Sequence, residues 1–285
     1  MGNVWFNLEK IMLDTKVAEN SSTALTQVGL KPERVEGVRK FLVDLKYLWL
    51  EQMLEIRTTW YWFLVFTMFM PLSMVFGFAR IGSGLSDRVS LIYIISGAAV
   101  FSVATEGIVT MSQRVGQMKK EGMLVYYASL PINKVAFIMA LMFSRLIVIL
   151  PGMLMPILVG PLLYNVNLEF SPWILILLPL SGLSLSAIGM AIGSLINSLE
   201  LIAVITNVLI FVLLMAAPVF IPAESLPLPL QILGYFLPPS YAADALRHTL
   251  AGTIGMAFYV DMAVLVGMTI ASFYILARWL RWRLK

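Results

Sequence analysis

Cysteine and histidine, two residue types central to nucleophilic and metal chemistry, are nearly absent from this chain of 285 residues. Without cysteine there is no thiolate nucleophile, no disulfide framework and no cysteine metal site. His248 is the single histidine, which excludes an all-histidine metal cluster within one chain. Within the apolar runs no paired acids share a helix face, so an intramembrane acid–base enzyme has no candidate pair. What remains is two ionisable residues set inside apolar runs, Glu106 and Arg145. A charge at a membrane-helix centre costs roughly 2.5–3.5 kcal/mol, so such residues are functional candidates by default. Glu106 lies about two turns from the end of its run and Arg145 about three turns into the next. If the two runs are antiparallel, the depths match and the residues can pair. The alternative is two separate charges that each snorkel to an interface. Asp261, near one end of the last apolar run, reads as interfacial, and Glu200 falls in a short turn.

The elements that must position these residues follow from composition. Hydrophobic residues make up 60% of the chain and charged residues 13%, against roughly 25% charged in soluble domains. So much apolar surface has no place in a soluble fold of this length, but a bilayer accepts it. The basic residues flank apolar runs and form no separate face, which argues against a nucleic-acid partner.

Residues 1–30 do not read as a signal peptide. Glu9, Lys10, Asp14, Lys16 and Glu19 interrupt the apolar stretch that one needs, and Phe6 stands where a myristoylation pattern wants Ser or Thr. The stretch reads as a short surface segment. In residues 31–58, Val35, Val38, Leu42, Leu45, Trp49, Met53 and Ile56 recur at helical steps between charged residues, and Pro32 suits a first turn. This is an amphipathic helix lying in the membrane interface, or else packed on a soluble partner.

A transmembrane domain fills 59–285. A helix needs about 20 apolar residues to cross the hydrocarbon core. Six runs qualify, at about 59–79, 90–111, 135–162, 172–195, 201–220 and 257–278. Trp60, Tyr61 and Trp62 mark one interface, and Ser171 and Pro172 read as N-cap and first residue of the fourth helix. The fold class is an all-α membrane protein. Basic residues set its orientation. Eight precede the first run, four (Arg114, Lys119, Lys120, Lys134) follow the second and four (Arg278, Arg281, Arg283, Lys285) follow the sixth, against Arg80, Arg88 and Arg247 on the other side. This bias puts both termini in the cytoplasm of a cell membrane, plasma or inner, as an even number of spans requires.

Two loops are too structured for connectors. Residues 112–134 run from charged to apolar through Gly122 to Pro131. Residues 221–256 hold Pro222, Pro227, Pro229, Pro238 and Pro239 among apolar residues, too broken to span. Irregular backbone survives at membrane depth only where protein or water satisfies it. The stretch reads as an external re-entrant helical hairpin whose second helix starts near Ser240 and stops at Gly252. Gly182, Ser186, Gly189 and Gly193 let helix backbones approach and read as packing.

The segment KKEGMLVYYASLPINK and the segment FIPAESLPLPLQILGYFLPPSYAADALRHTLAG carry a resemblance. The chain resembles the membrane subunit of ABC-2 type exporters, the permeases of daunorubicin-type drug exporters and polysaccharide exporters, over about residues 31–285. The resemblance implies a dimer in the membrane, a homodimer in the simplest case, bound to two ATP-binding cassette ATPase subunits. It makes Lys119, Lys120, Glu121, Gly122, Leu130 and Pro131 the ATPase-coupling segment, and Pro238, Pro239, Tyr241, Arg247 and Gly252 the external signature. It likens Glu106 and Arg145 to a polar relay, and sets the first and fifth spans beside the path, where Phe66, Phe69 and Asn207 are path candidates. The chain has no G-x-x-x-x-G-K-[ST] motif, so any ATP and Mg belong to the partner subunit and no cofactor to this chain.

The function expected is the permease subunit of an ATP-driven exporter, not itself an enzyme, among membrane lipids. The aromatic first span (Trp60, Tyr61, Trp62, Phe63, Phe66, Phe69, Phe76) suits an amphipathic drug-like or lipid-like substrate. The alternatives are a permease for a polysaccharide or lipid-linked glycan, and an ATPase-independent transporter or channel. The second lacks an internal repeat and a midplane charge cluster.

Overall fold

The computed structural model describes residues 37–81, 88–166, 168–216, 220, 227–235 and 237–279. The expectations for residues 1–30, Pro32, Pro222, Arg281, Arg283 and Lys285 lie outside the described residues. The chain divides into two compact units, Met1–Lys40 and Phe41–Lys285. Of the first unit only Gly37, in a turn, and the helical residues after it are described.

The regular elements of the described residues are helices. α1 spans Val38–Ile81, 44 residues with Pro71 inside. It merges the amphipathic segment and the first apolar run into one helix. At 1.5 Å per residue it is about 66 Å long, so it exceeds a hydrocarbon core of about 30 Å and part of it must lie outside.

α2 (Arg88–Ala104), a π-helical segment (Thr105–Thr110) and α3 (Met111–Lys120) form one continuous stretch of 33 residues. Here the sequence reading needs correcting, because it began a loop at 112. Residues 112–120 contain no proline, and Gln113, Arg114 and Gln117, which look like loop residues, fall on one face of the helix. The chain turns only at Glu121–Gly122, where Gly122 takes a left-handed φ of 74°. α4 (Met123–Ser129) follows.

α5 (Lys134–Tyr164) is N-capped by Asn133, whose Oδ1 accepts from the Val135 N–H at 2.8 Å. It keeps its helix through Pro151, Pro156 and Pro161 and ends at Asn165 with φ 52°. α6 (Ile174–Leu195) starts later than Ser171 and Pro172 suggest, since those residues and Trp173 form a turn closed by the Ile174 N–H on the Ser171 carbonyl. α7 (Leu199–Ala216), α8 (Leu228–Tyr235), α9 (Pro238–Ala251) and α10 (Met256–Trp279) complete the order. Pro238 and Pro239 open α9, and Gly252 ends it at φ 70°.

Among the described residues, four helical stretches are long and apolar enough to cross a membrane, Arg88–Lys120, Lys134–Tyr164, Ile174–Leu195 and Met256–Leu276. Val65–Phe78 and Leu199–Leu213 are shorter apolar helical stretches. α5 packs on α2, α10 on α6, and α9 on α2, α6 and α10. One buried cluster joins α2, α5, α6 and α9 around Ile95, Met153, Leu185 and Leu246. A second gathers Met111, Met118, Tyr127, Phe137 and Met190 at the other end. The approach of α6 to the π segment is set by glycine. A Cβ on Gly189 would fall on the Gly107 carbonyl oxygen, and Ser112 Oγ donates to the Gly189 carbonyl at 2.8 Å.

Candidate functional site

At the α3–α4 end, Tyr127 is the anchor. It is 2% exposed, and its ring lies 4.9 Å from that of Phe137. Its hydroxyl donates to Glu51 Oε1 at 2.5 Å, and burial followed by the Glu51 carboxylate pushes the phenol well above its ordinary range. Two more acids of α1 face the same region. Asp44 accepts from the Asn133 N–H at 3.0 Å, and Glu55 forms an ion pair with Arg114. Asp44, Glu51 and Glu55 stand seven and four residues apart, hence on one helix face. That spacing was visible in the sequence but had no known partner there.

The residues of the coupling segment separate by environment. Lys119 Nζ donates to the carbonyls of Ser194 and Ile196, each at 2.9 Å, and to Asn197 Oδ1 at 2.8 Å. It therefore closes the C-terminal end of α6, where free carbonyls favour a cation. Leu130 packs against the second core cluster. Lys120, Glu121 and Pro131 are exposed, Gly122 is half-buried, and Glu121 accepts from Gln117 Nε2 at 2.5 Å. Val125 and Tyr126 on α4 are also exposed. Sequence reasoning had not singled them out, although large apolar residues on the outer side of a short helix are the signal.

Glu106 sits in the π segment, and such segments recur at functional sites. Arg145 on α5 is 7% exposed. The two charges interact electrostatically, but among the described residues they form no ion pair within 4.0 Å. Glu106 Oε2 and Arg145 Nε are both buried without a hydrogen-bond partner. Beside them lies a cleft of about 430 Å³ lined by Thr110, Gln113, Arg114, Gln117, Arg145, Leu199 and Ala203.

At the opposite end Arg247 is buried. Its Nη1 donates to Asp244 Oδ1 at 2.5 Å and its Nε to Ser96 Oγ at 3.2 Å. Its guanidinium lies 3.9 Å from the Tyr93 ring centroid. Pro238 and Pro239 are buried, Tyr241 packs on the core, and Gly252 passes close against Glu169. α9 is thus set into the bundle and is not a surface hairpin. Phe66, Phe69 and Asn207, by contrast, are exposed on α1 and α7. Val204, Val208 and Phe211 are exposed on the same helix as Asn207, so α1 and α7 each turn large apolar side chains outward.

No curated protein matches the chain significantly. The family model of the ABC-2 type transporter matches residues 40–251, well over half of the chain. The match takes in the two ends of the bundle and the buried charges between them. It supports a membrane-embedded permease that works with an ATP-binding cassette subunit, and the chain belongs to the ABC-2 type transporter family.

Proposed function

We propose that the chain is the permease subunit of an ATP-driven exporter that moves an amphipathic, drug-like or lipid-like molecule out of the cytoplasm or the inner leaflet. It works as a homodimer bound to two copies of its ATPase partner, in the plasma or inner membrane. Residues 1–30 form a surface segment, 31–58 a connecting region and 59–285 a six-span domain, with both termini cytoplasmic.

The observation that carries the substrate class is the exposed apolar surface of α1 and α7, where Phe66, Phe69, Val204 and Phe211 stand with Asn207 as the polar exception. A path built on such faces offers contact area and few directional hydrogen bonds, which suits an amphipathic molecule better than a hydrated glycan. Coupling falls to the exposed Lys120, Glu121, Val125, Tyr126 and Pro131 around α4. Glu106 and Arg145 act as a polar relay between the helical stretches that carry them.

The test is ATP turnover by the reconstituted complex of this chain and its ATPase. Amphipathic compounds should stimulate it, and Phe69→Ala should shift their apparent affinity. Stimulation by lipid-linked glycans alone would reject the substrate class.

A further inference from the structure

Arg145 presents an unusual problem. It is 7% exposed, its Nε has no partner, and no described residue gives its guanidinium a hydrogen bond or an ion pair. A guanidinium carries five donors in a fixed plane, and leaving a buried charged donor unmade is costly. Arg114 lies within electrostatic reach as a like charge. It pairs with Glu55 through one nitrogen, but its Nε is also buried and unpartnered. Both side chains line one cleft of about 430 Å³, within the range of small-molecule sites.

The rest of the lining is selective. Thr110, Gln113, Arg114 and Gln117 recur at helical steps and form a polar stripe along one face. Gln117, at one end of this stripe, is exposed, whereas Arg145 is buried. Neither acid of the cluster, Glu55 or Glu106, lines the cleft. The facing wall is Leu199 and Ala203 of α7, and the same helix exposes Leu201, Val204 and Val208. One wall thus offers cationic and amide donors, and the other leads onto apolar surface.

We propose that this cleft binds an oxyanion, the phosphodiester or carboxylate head of an amphipathic molecule, with Arg145 as its main donor, Arg114 and the two glutamines beside it, and the apolar part lying along α7. A planar guanidinium matches such a group through paired hydrogen bonds. This rests on the exporter reading above and names the headgroup that reading leaves open.

The test uses the full chain, purified in mild detergent, with binding followed by native mass spectrometry. Three probes separate the features. Dioctanoyl phosphatidylglycerol has chains and one anion, dioctanoylglycerol has chains only, and inorganic phosphate has the anion only. Arg145→Met should weaken phosphatidylglycerol binding roughly ten- to a hundredfold and leave dioctanoylglycerol unchanged. Arg145→Lys should fall between Met and wild type. Ala203→Trp fills the half-exposed wall without touching the charges, and should give the same loss if Arg145→Met fails to fold. Competition by phosphate keeps the oxyanion site and assigns it to a soluble anion. No competition, with phosphatidylglycerol binding lost in the variants, assigns it to a lipid head. Unchanged phosphatidylglycerol binding in Arg145→Met, or in Ala203→Trp where that variant is needed, overturns the proposal. Turnover stimulated by amphipathic compounds alongside such unchanged binding would remove the cleft and leave the exporter. Arg145-dependent binding with no turnover response would do the reverse.

Discussion

Tyr127 of α4 donates its hydroxyl to Glu51 of α1 at 2.5 Å. The bond is charge-assisted and only part-buried, and hydrogen bonds to charged groups contribute about 1.5–3 kcal/mol. Tyr127→Phe should therefore lower the melting temperature of the purified chain and reduce transport per ATP hydrolysed. Because the phenol's folded value is raised, the stabilising contribution is fully present below the unfolded value of about 10 and declines as pH rises through the folded one. The deficit of the Phe variant should be equal at about pH 6 and pH 8 and shrink only above about pH 10. A deficit that changes between the first two values would mean that another group holds the proton.

Lys119 and Glu121 should behave differently although they are near neighbours. Lys119→Met leaves the α6 carbonyls at Ser194 and Ile196 without their cation and should cost about 1–2 kcal/mol of stability. Glu121→Ala, at an exposed position, should leave melting within about 0.5 kcal/mol of wild type while lowering transport by the complex. Equal thermal loss in both variants would refute this division.

Gly189→Ala places a methyl group on the Gly107 carbonyl oxygen. Overpacking of this kind costs about 1–3 kcal/mol, and here it pushes α6 away from the segment that carries Glu106. Gly255→Ala, which meets nothing within 4 Å, is the control. Detergent melting curves should separate the two, and no difference between them would show that the helices separate freely.

The absence of cysteine makes topology directly testable. Tyr126→Cys and Leu228→Cys are both exposed positions, on α4 and α8. A membrane-impermeant thiol reagent applied to intact cells should label only Leu228→Cys, and Tyr126→Cys only after the membrane is opened. External labelling of Tyr126→Cys would reverse the orientation drawn from the basic residues.

The helices were largely legible because apolar run length needs no partner to interpret. Lys134–Tyr164 and Met256–Trp279 fall within a few residues of the runs that announce them. Gly252 was legible for a similar local reason, since a left-handed stop needs a residue without Cβ. The extension of α3 to Lys120 was hidden because Gln113, Arg114 and Gln117 look like loop residues until a cleft gives them a common face. The π segment at Thr105–Thr110 has no signature in composition at all. The part taken by Lys119 in closing α6 depends on a contact 75 residues away, which periodicity cannot carry.

α1 has a mechanical consequence. Between Glu51 and Phe69 it contains neither proline nor glycine, so the stretch is a stiff arm of about 27 Å. One end carries an aromatic ring facing outward, and the other holds the hook that grips Tyr127. Tilting this arm by about 10° around Phe69 sweeps Glu51 through about 5 Å, nearly the rise of one helical turn. A small lean at the membrane end therefore moves the Tyr127 anchor sideways by about 5 Å, with no proline or glycine between them to absorb it.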